Sequence, residues 1–230
     1  MGSPTPVLDL HRERLTDLFA RDVAALEPAS LLDVGCGNGR LLESLGPVAQ
    51  VEGVEPSAAR RAAASERGLT VREAAADALP YADGAFDWVV IRHVLHHLES
   101  AAPSVAEAWR VARSGIVLAE PATDPSFESQ RHMAELDALT NRLLAASGHV
   151  HHPYLDAGGL TALAPETPAR IAVRSYFELT AVPEEEARAL LDAAGIELPP
   201  AEVDRAEALL RHARTGEVTY NGSVAVFLFR

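Results

Sequence analysis

The stretch Leu31-Leu32-Asp33-Val34-Gly35-Cys36-Gly37-Asn38-Gly39-Arg40 constrains the fold more than any other part of the chain. A short apolar run breaks into three alternating glycines, and leucines resume at helical spacing at 41, 42 and 45. The unit therefore reads as strand, tight turn, helix. Glycines at such a turn let the backbone bend sharply and let a ligand approach atoms that a Cβ would shield, so a cofactor is expected over it. The dinucleotide fingerprint G-x-G-x-x-G starts in register at Gly35 and Gly37, but its third glycine falls on Arg40. That side chain opposes the close helix–strand packing a nicotinamide dinucleotide site needs.

The alternation continues along the chain. A helix is expected over 11–26, where Leu15, Leu18, Phe19, Val23 and Leu26 share a face, with Pro28 ending it. After the glycine turn come a strand in QVEGVEPS, an Ala-rich helix capped by Ser57 and stopped by Gly68, and a strand in LTVREAAA. FDWVVI then reads as a fourth strand, 104–113 as a helix and GIVLAEP as a fifth strand. Repeated strand–helix alternation implies a doubly wound, parallel α/β sheet in a single domain spanning 1–230. Past Pro121 the pattern changes. Residues 126–147 carry Phe127, Met133, Leu136, Leu139, Leu143 and Leu144 along one helical face, followed by the histidine-rich loop GHVHHPY. With no strand directly after it, 126–154 is read as a helical cap inserted after the fifth strand. A strand over 170–180, helices over 184–194 and 201–213, and a final strand in SVAVFLFR complete the chain.

Composition narrows the partners. Against 33 acidic residues stand 20 basic ones, all Arg, for a formal charge of −13. A nucleic-acid partner is disfavoured, because such binding draws on cationic contacts to phosphates. The absence of Lys excludes a lysine nucleophile or Schiff base. One cysteine, Cys36, can build neither a disulfide framework nor a cysteine-rich zinc site. No apolar run approaches the length of a membrane span, and MGSPTPVLDLHRER lacks the apolar centre of a signal peptide. The expectation is a cytoplasmic protein with no membrane partner, its state left open between monomer and homodimer.

LLDVGCGNGR, then Glu55 at the end of the second strand, then AADALPYADGAFDWVVIRHVLHHLES together resemble the class I S-adenosylmethionine-dependent methyltransferases, in particular their small-molecule subgroup. The resemblance runs from about Ser30 to Pro121. It implies a Rossmann-like, seven-stranded sheet whose last strand is antiparallel, with SVAVFLFR in that strand's place. It also implies S-adenosylmethionine as cofactor and assigns its contacts. Asp33 orders the loop or receives the ligand's ammonium, and Gly35, Cys36 and Gly37 line the turn. Glu55 accepts the ribose hydroxyls, Asp77 the adenine amino group, with the backbone of Ala78 beside it, and the main-chain carbonyl of Arg92 the ammonium. Plainer roles stand next to these: Asp33 as a turn former, Glu55 as an acid before the helix at Ser57, and Asp77 as a solvated loop residue.

Histidines supply what acid–base chemistry there is. His93, His96 and His97 follow the fourth strand at offsets that place them together on a helical turn. His96 and His97 are read as structural, and His93, nearest the strand end, as the first candidate for contact with an acceptor. His149, His151 and His152 form a second group. A solvated loop is preferred there to a metal site, and no metal is expected. On the cap's rim, His152 is the second catalytic candidate. The resulting expectation is methyl transfer to an oxygen or nitrogen nucleophile on a small molecule. The alternative is a protein of this fold that binds the cofactor in a regulatory or non-methylating role.

Overall fold

Apolar runs of strand length and helix length alternate, and in the computed structural model, which describes residues 6–193 and 195–230, the backbone follows them. Helix α1 (Val7–Ala24) buries Leu15, Phe19 and Val23 on one side, while Leu18 on the same expected face is left exposed. Strand β1 (Ser30–Val34) runs into the glycine turn, and α2 (Arg40–Leu45) buries Leu41, Leu42 and Leu45 beyond it. Then come β2 (Gln50–Val54), α3 (Ala58–Glu66) with Ser57 capping it through its hydroxyl, and β3 (Val71–Arg72). β4 (Phe86–Arg92) leads through a 3₁₀ turn at Leu95–His97 to α4 (Ala101–Val111) and β5 (Ala112–Ala122).

The third strand is shorter than expected, two residues only, and the helix expected over 104–113 gives way to strand at Ala112. There the Arg113 guanidinium reaches Asp87 and the Gly84 carbonyl, side-chain bonds that a sequence pattern does not announce. After α5 (Glu128–Ala146) comes α6 (Ala157–Ala162), which the sequence reading missed. Its Gly158 and Gly159 argue against a helix, and the Asp156 carboxylate offsets that by accepting the Gly159 N–H at 2.8 Å. β6 (Arg170–Tyr176), α7 (Glu184–Asp192), α8 (Pro200–Arg214) and β7 (Gly222–Phe229) complete the order. The last residue of the helix expected over 184–194 lies outside the described residues.

Seven strands form one sheet in the order β3-β2-β1-β4-β5-β7-β6. β1 pairs in parallel with β2 and β4, β2 with β3, and β4 with β5. The last strand is antiparallel. Beyond its end, Arg230 N–H donates to the Ser114 carbonyl near the start of β5, and the Phe229 carbonyl accepts from Ala169 at the start of β6.

Register places the site. Val34 pairs with both Val54 and Ile91, Val54 with Arg72, and Ile91 with Leu118. The C-terminal ends of five strands thus stand in one row, and the glycine turn, Glu55, the 73–85 connection, His93 and Glu120 all emerge along the same edge. Open α/β sheets bind ligands at that edge.

Contacts divide the chain into two compact units. One comprises Thr16–Glu120, Leu155–Ser175 and Val224–Arg230 and contains most of the sheet. Its centre holds Leu31, Leu32, Leu42, Ile91, Ile116 and Leu118, all fully buried, each worth about 1.5–3 kcal/mol relative to exposure. The other, made of residues up to Leu15, Pro121–Tyr154 and Tyr176–Ser223, is mainly helical. In it the stripe Met133, Leu136, Leu139 and Leu143 of α5 packs with Leu191 of α7 and Leu209 and Leu210 of α8. The apolar face that suggested a cap therefore has its partners in α7 and α8. Among the described residues no helix is long and apolar enough to cross a membrane.

Candidate functional site

Each glycine of the turn takes a left-handed backbone, φ being +73° at Gly35, +57° at Gly37 and +83° at Gly39. Their surroundings differ. A Cβ on Gly35 would lie 2.5 Å from the Val94 Cγ2 methyl, so that glycine serves packing. A Cβ on Gly37 would meet nothing within 4 Å. Bare backbone facing open space is what a ligand approaching the turn requires. Cys36 is turned the other way, its Sγ occupying the space left by Gly53 of β2. Burial pushes its thiol well above the ordinary range, aided by Asp33 and Glu55, so only its backbone is offered to a ligand.

Two acids back this turn. Glu55, buried at 3% exposure, accepts the Gly37 N–H on one carboxylate oxygen and the Ser57 N–H on the other, both at 3.0 Å. Its main-chain carbonyl holds the Arg61 guanidinium at 2.8 Å. Glu55 thus ties the glycine turn to the start of α3, and each oxygen keeps a second lone pair. Asp33, also 3% exposed, sits one residue before the end of β1. Burial pushes its carboxyl up to about 7 against the pull of the Arg92 guanidinium, and Glu55 adds to the rise. Arg92 ends β4, donates from Nη1 to the Thr16 hydroxyl at 3.0 Å and lies 5.2 Å from the centre of the Phe19 ring.

Asp77 and Ala78 are exposed on the turn after β3. The chain just beyond them is fixed by a knot that the sequence reading did not find. Arg110 of α4 donates to the carbonyls of Leu79 and Tyr81 and to Asp83, while Glu107 takes two of its N–H groups and also the Leu79 N–H. Those Arg110 bonds hold the Glu107 carboxyl below its usual range. Glu107 and Arg110 stand three apart on one helix, a pairing visible in sequence. Their grip on a loop about 30 positions away was not.

His93 comes directly after Arg92 and is held at φ +56°, a left-handed conformation that side chains rarely adopt. Its N–H donates to the Ala119 carbonyl at 2.8 Å. Bonds from Glu120 to the next few residues keep it there. Glu120, fully buried, accepts the Leu95 N–H at 3.1 Å and holds the His96 Nδ1 at 2.5 Å. A carboxylate only accepts, so that imidazole nitrogen carries the hydrogen. His96 is buried and His97 exposed, with ring centres 4.0 Å apart. The three histidines do not share the face of an α-helix, because the chain turns at His93 and then forms a 3₁₀ turn. His152, in the helical unit, is exposed in an irregular loop.

The structure therefore brings Asp33, Gly35, Gly37, Glu55, Arg92 and His93 to one strand-end row. The side chain of Arg92, for which the sequence implied only a carbonyl role, and the Glu120–His96 pair are additions. The donor set suits a cofactor with hydroxyls and an ammonium: acids at the strand ends and uncovered backbone at Gly37.

Comparison with known proteins adds a family match over part of the chain and a likeness of fold. Residues 32–119 match the model of the family described as Methyltransferase domain. An uncharacterized 37.1 kDa protein in a transposon of Streptomyces fradiae is 34% identical over 106 residues, 41% of this chain. The matched stretch spans 31% of that relative's length. Among solved structures, the YcgJ protein of Bacillus subtilis superposes with a TM-score of 0.59 at 17% identity, covering 94% of this chain and 98% of its own. The [4+2]-cyclase SpnF gives 0.57 at 20% identity over 94% of this chain and 80% of its own.

Proposed function

We propose that the protein, whose residues 32–119 match the family model described as Methyltransferase domain, is a class I S-adenosylmethionine-dependent methyltransferase that moves a methyl group from S-adenosylmethionine to an oxygen or nitrogen nucleophile on a small molecule. The observation that carries the proposal is the bare, open backbone at Gly37 with Glu55 bonded to it and Asp33 behind it. In this reading Glu55 takes the ribose hydroxyls on its remaining lone pairs, and Asp33 with the Arg92 carbonyl receives the ammonium. Gly35, Cys36 and Gly37 supply backbone along the turn. Asp77 and the Ala78 backbone receive the adenine, on the loop that Arg110 braces.

When bound, the cofactor supplies an electrophilic methyl on a sulfonium, so the protein's work is alignment and exclusion of water. A hydroxyl acceptor also benefits from a base, worth about 10²–10⁴-fold. His93 is the residue proposed to face the acceptor. Its left-handed backbone is strain of the kind stored at functional sites, and the Glu120 bonds to Leu95 and His96 hold the chain just beyond it. His152 is the second proposed participant, on the strength of its exposed loop position. The net charge of −13 favours a small-molecule acceptor over a nucleic acid.

Calorimetry with S-adenosylhomocysteine and NADH tests the cofactor half. Binding of the first and not the second is expected, and the reverse overturns the proposal. A mass screen of acceptors for the gain of one CH₂ tests the transfer half. The likeness to a [4+2]-cyclase keeps one other reading in play, a non-methylating catalyst of the same fold. Cofactor binding combined with unchanged mass but altered structure of an acceptor would favour it.

A further inference from the structure

β1 and β2 are neighbours, so the two acids of the glycine turn stand side by side at the strand ends, both nearly out of reach of water. Burial penalises each negative charge and their proximity penalises the pair. Glu55 offsets its share with the N–H groups of Gly37 and Ser57. For Asp33 the offset comes from β4, β1's neighbour on the other side, whose last residue is Arg92. That guanidinium is not left to wander. Thr16 and Phe19, at 4% and 1% exposure, hold it by a hydroxyl and a ring face.

We propose that Arg92 is a positioning residue for the cofactor's amino-acid end: fixed by Thr16 and Phe19 of α1 at the end of β4, its guanidinium supplies the positive charge that faces the buried acids Asp33 and Glu55, and Asp33 receives the ligand's ammonium. This rests on the cofactor assignment made above. The groups facing Asp33 are Arg92 from β4, Glu55 from the end of β2 and the Cys36 thiol from the turn, while α1 contributes the uncharged Thr16 and Phe19. With Asp33 pushed up to about 7 even while Arg92 pulls it down, affinity for a ligand bearing an ammonium rises as pH climbs through that region. Without Arg92 the rise moves to higher pH. Helix α1 is thereby tied to the cofactor site through the Arg92 side chain.

The test uses the full chain in four forms: wild type, Arg92→Met, Arg92→Lys and Asp33→Asn. First, the Asp33 carboxyl is titrated by carbon-13 NMR without ligand, its signal assigned by its loss in Asp33→Asn. Arg92→Met should move the midpoint to higher pH and Arg92→Lys should restore most of it. Second, calorimetry compares S-adenosylhomocysteine with 5′-methylthioadenosine, which lacks the amino-acid end. At about pH 7 Arg92→Met should weaken the first roughly tenfold, the loss of one charge-assisted contact, and leave the second within about twofold. That loss should shrink by about pH 8.5, and Asp33→Asn should bind the first weakly at every pH.

An Asp33 midpoint unmoved in Arg92→Met overturns the Arg92 role. So does equal weakening of both ligands, which would mark a general loosening of the site. Wild type that binds neither ligand overturns the cofactor assignment and, with it, the role of the ionised Asp33, whatever the titration shows. Thermal melting checks folding. If Arg92→Met does not fold, Thr16→Val, which removes only the anchor, should move the midpoint in the same direction by a smaller amount, and no movement there overturns the proposal.

Discussion

Replacing Glu55 by Gln puts the join between the glycine turn and the cofactor under a measurable load. The carboxylate accepts the Gly37 and Ser57 N–H groups on its two oxygens at 3.0 Å each, with 3% of the residue exposed. Gln has the same shape but one accepting oxygen and one amide NH₂. However it is turned, one of those backbone N–H groups then faces a donor. A buried donor left without its acceptor costs about 1–3 kcal/mol. For a chain of this length each kcal/mol lowers the melting temperature by about 2–4 °C. The ligand-free variant should therefore melt about 2–12 °C lower. Losing the charged acceptor for the ribose hydroxyls should in addition weaken S-adenosylhomocysteine about tenfold to a hundredfold. Scanning fluorimetry and calorimetry on one preparation read both. A melting temperature within about 1 °C of wild type refutes the bracing role. A lowered one with unchanged affinity refutes the ribose role and leaves Glu55 as a brace alone.

The two glycines should separate in the same assays. Gly35→Ala, with its Cβ against Val94, should cost about 2 kcal/mol or more in stability, whereas Gly37→Ala, strained but unobstructed, should cost about 1 kcal/mol and chiefly lower cofactor affinity; equal melting temperatures for the two would refute this. Asp137 keeps part of its surface exposed, yet burial pushes its carboxyl up to about 7 against the Asn221 amide that donates to it. A folded pKa above the unfolded one means that the stability it carries is full below about pH 4 and is lost as pH rises to about 7. Asp137→Asn should thus gain on wild type between those limits in urea melts, and an equal gap at about pH 4 and pH 8 would refute the assignment. Finally, α5 is packed on α7 and α8 through Leu136, Leu139 and Leu143, so its amides should be protected from hydrogen exchange to the same degree with and without S-adenosylhomocysteine. Added protection across 126–154 on binding would instead support a lid.

How much the sequence made legible depends on the range of the interactions involved. β1, α2 and the glycine turn were readable because Leu31, Leu32, Gly35 and Leu41 declare themselves within a dozen positions. The seven-stranded sheet was legible from strand–helix alternation and from the resemblance over about Ser30 to Pro121. α5 was readable too, by its stripe, but not the partners of that stripe, since α7 and α8 lie 40 to 80 positions away. α6 was hidden because a capping carboxylate outweighs two glycines. At the site, the positions of Asp33, Glu55 and His93 were read correctly as strand-end residues, while the Arg92 guanidinium was passed over. Its partners Thr16 and Phe19 are more than 70 positions distant, and no spacing rule connects them.

The fate of the turn's N–H groups explains why one strand–glycine–helix motif can serve such different ligands. A dinucleotide site points those donors at a pyrophosphate. Here they are already committed: Gly35 and Cys36 donate to the Val54 carbonyl, Gly39 to the Cys36 carbonyl and Gly37 to Glu55. Two buried acids stand behind the turn as well, and a phosphate brought against them would meet repulsion with no free donor from these four residues to offset it. On the reading proposed above, a ligand presenting hydroxyls and an ammonium meets the opposite situation, because Glu55 still has lone pairs to accept with. The departure at Arg40 from the dinucleotide fingerprint is thus the smaller part of the distinction. The larger part is the commitment of these N–H groups, that of Gly37 to Glu55 among them, which withdraws them from an approaching anion.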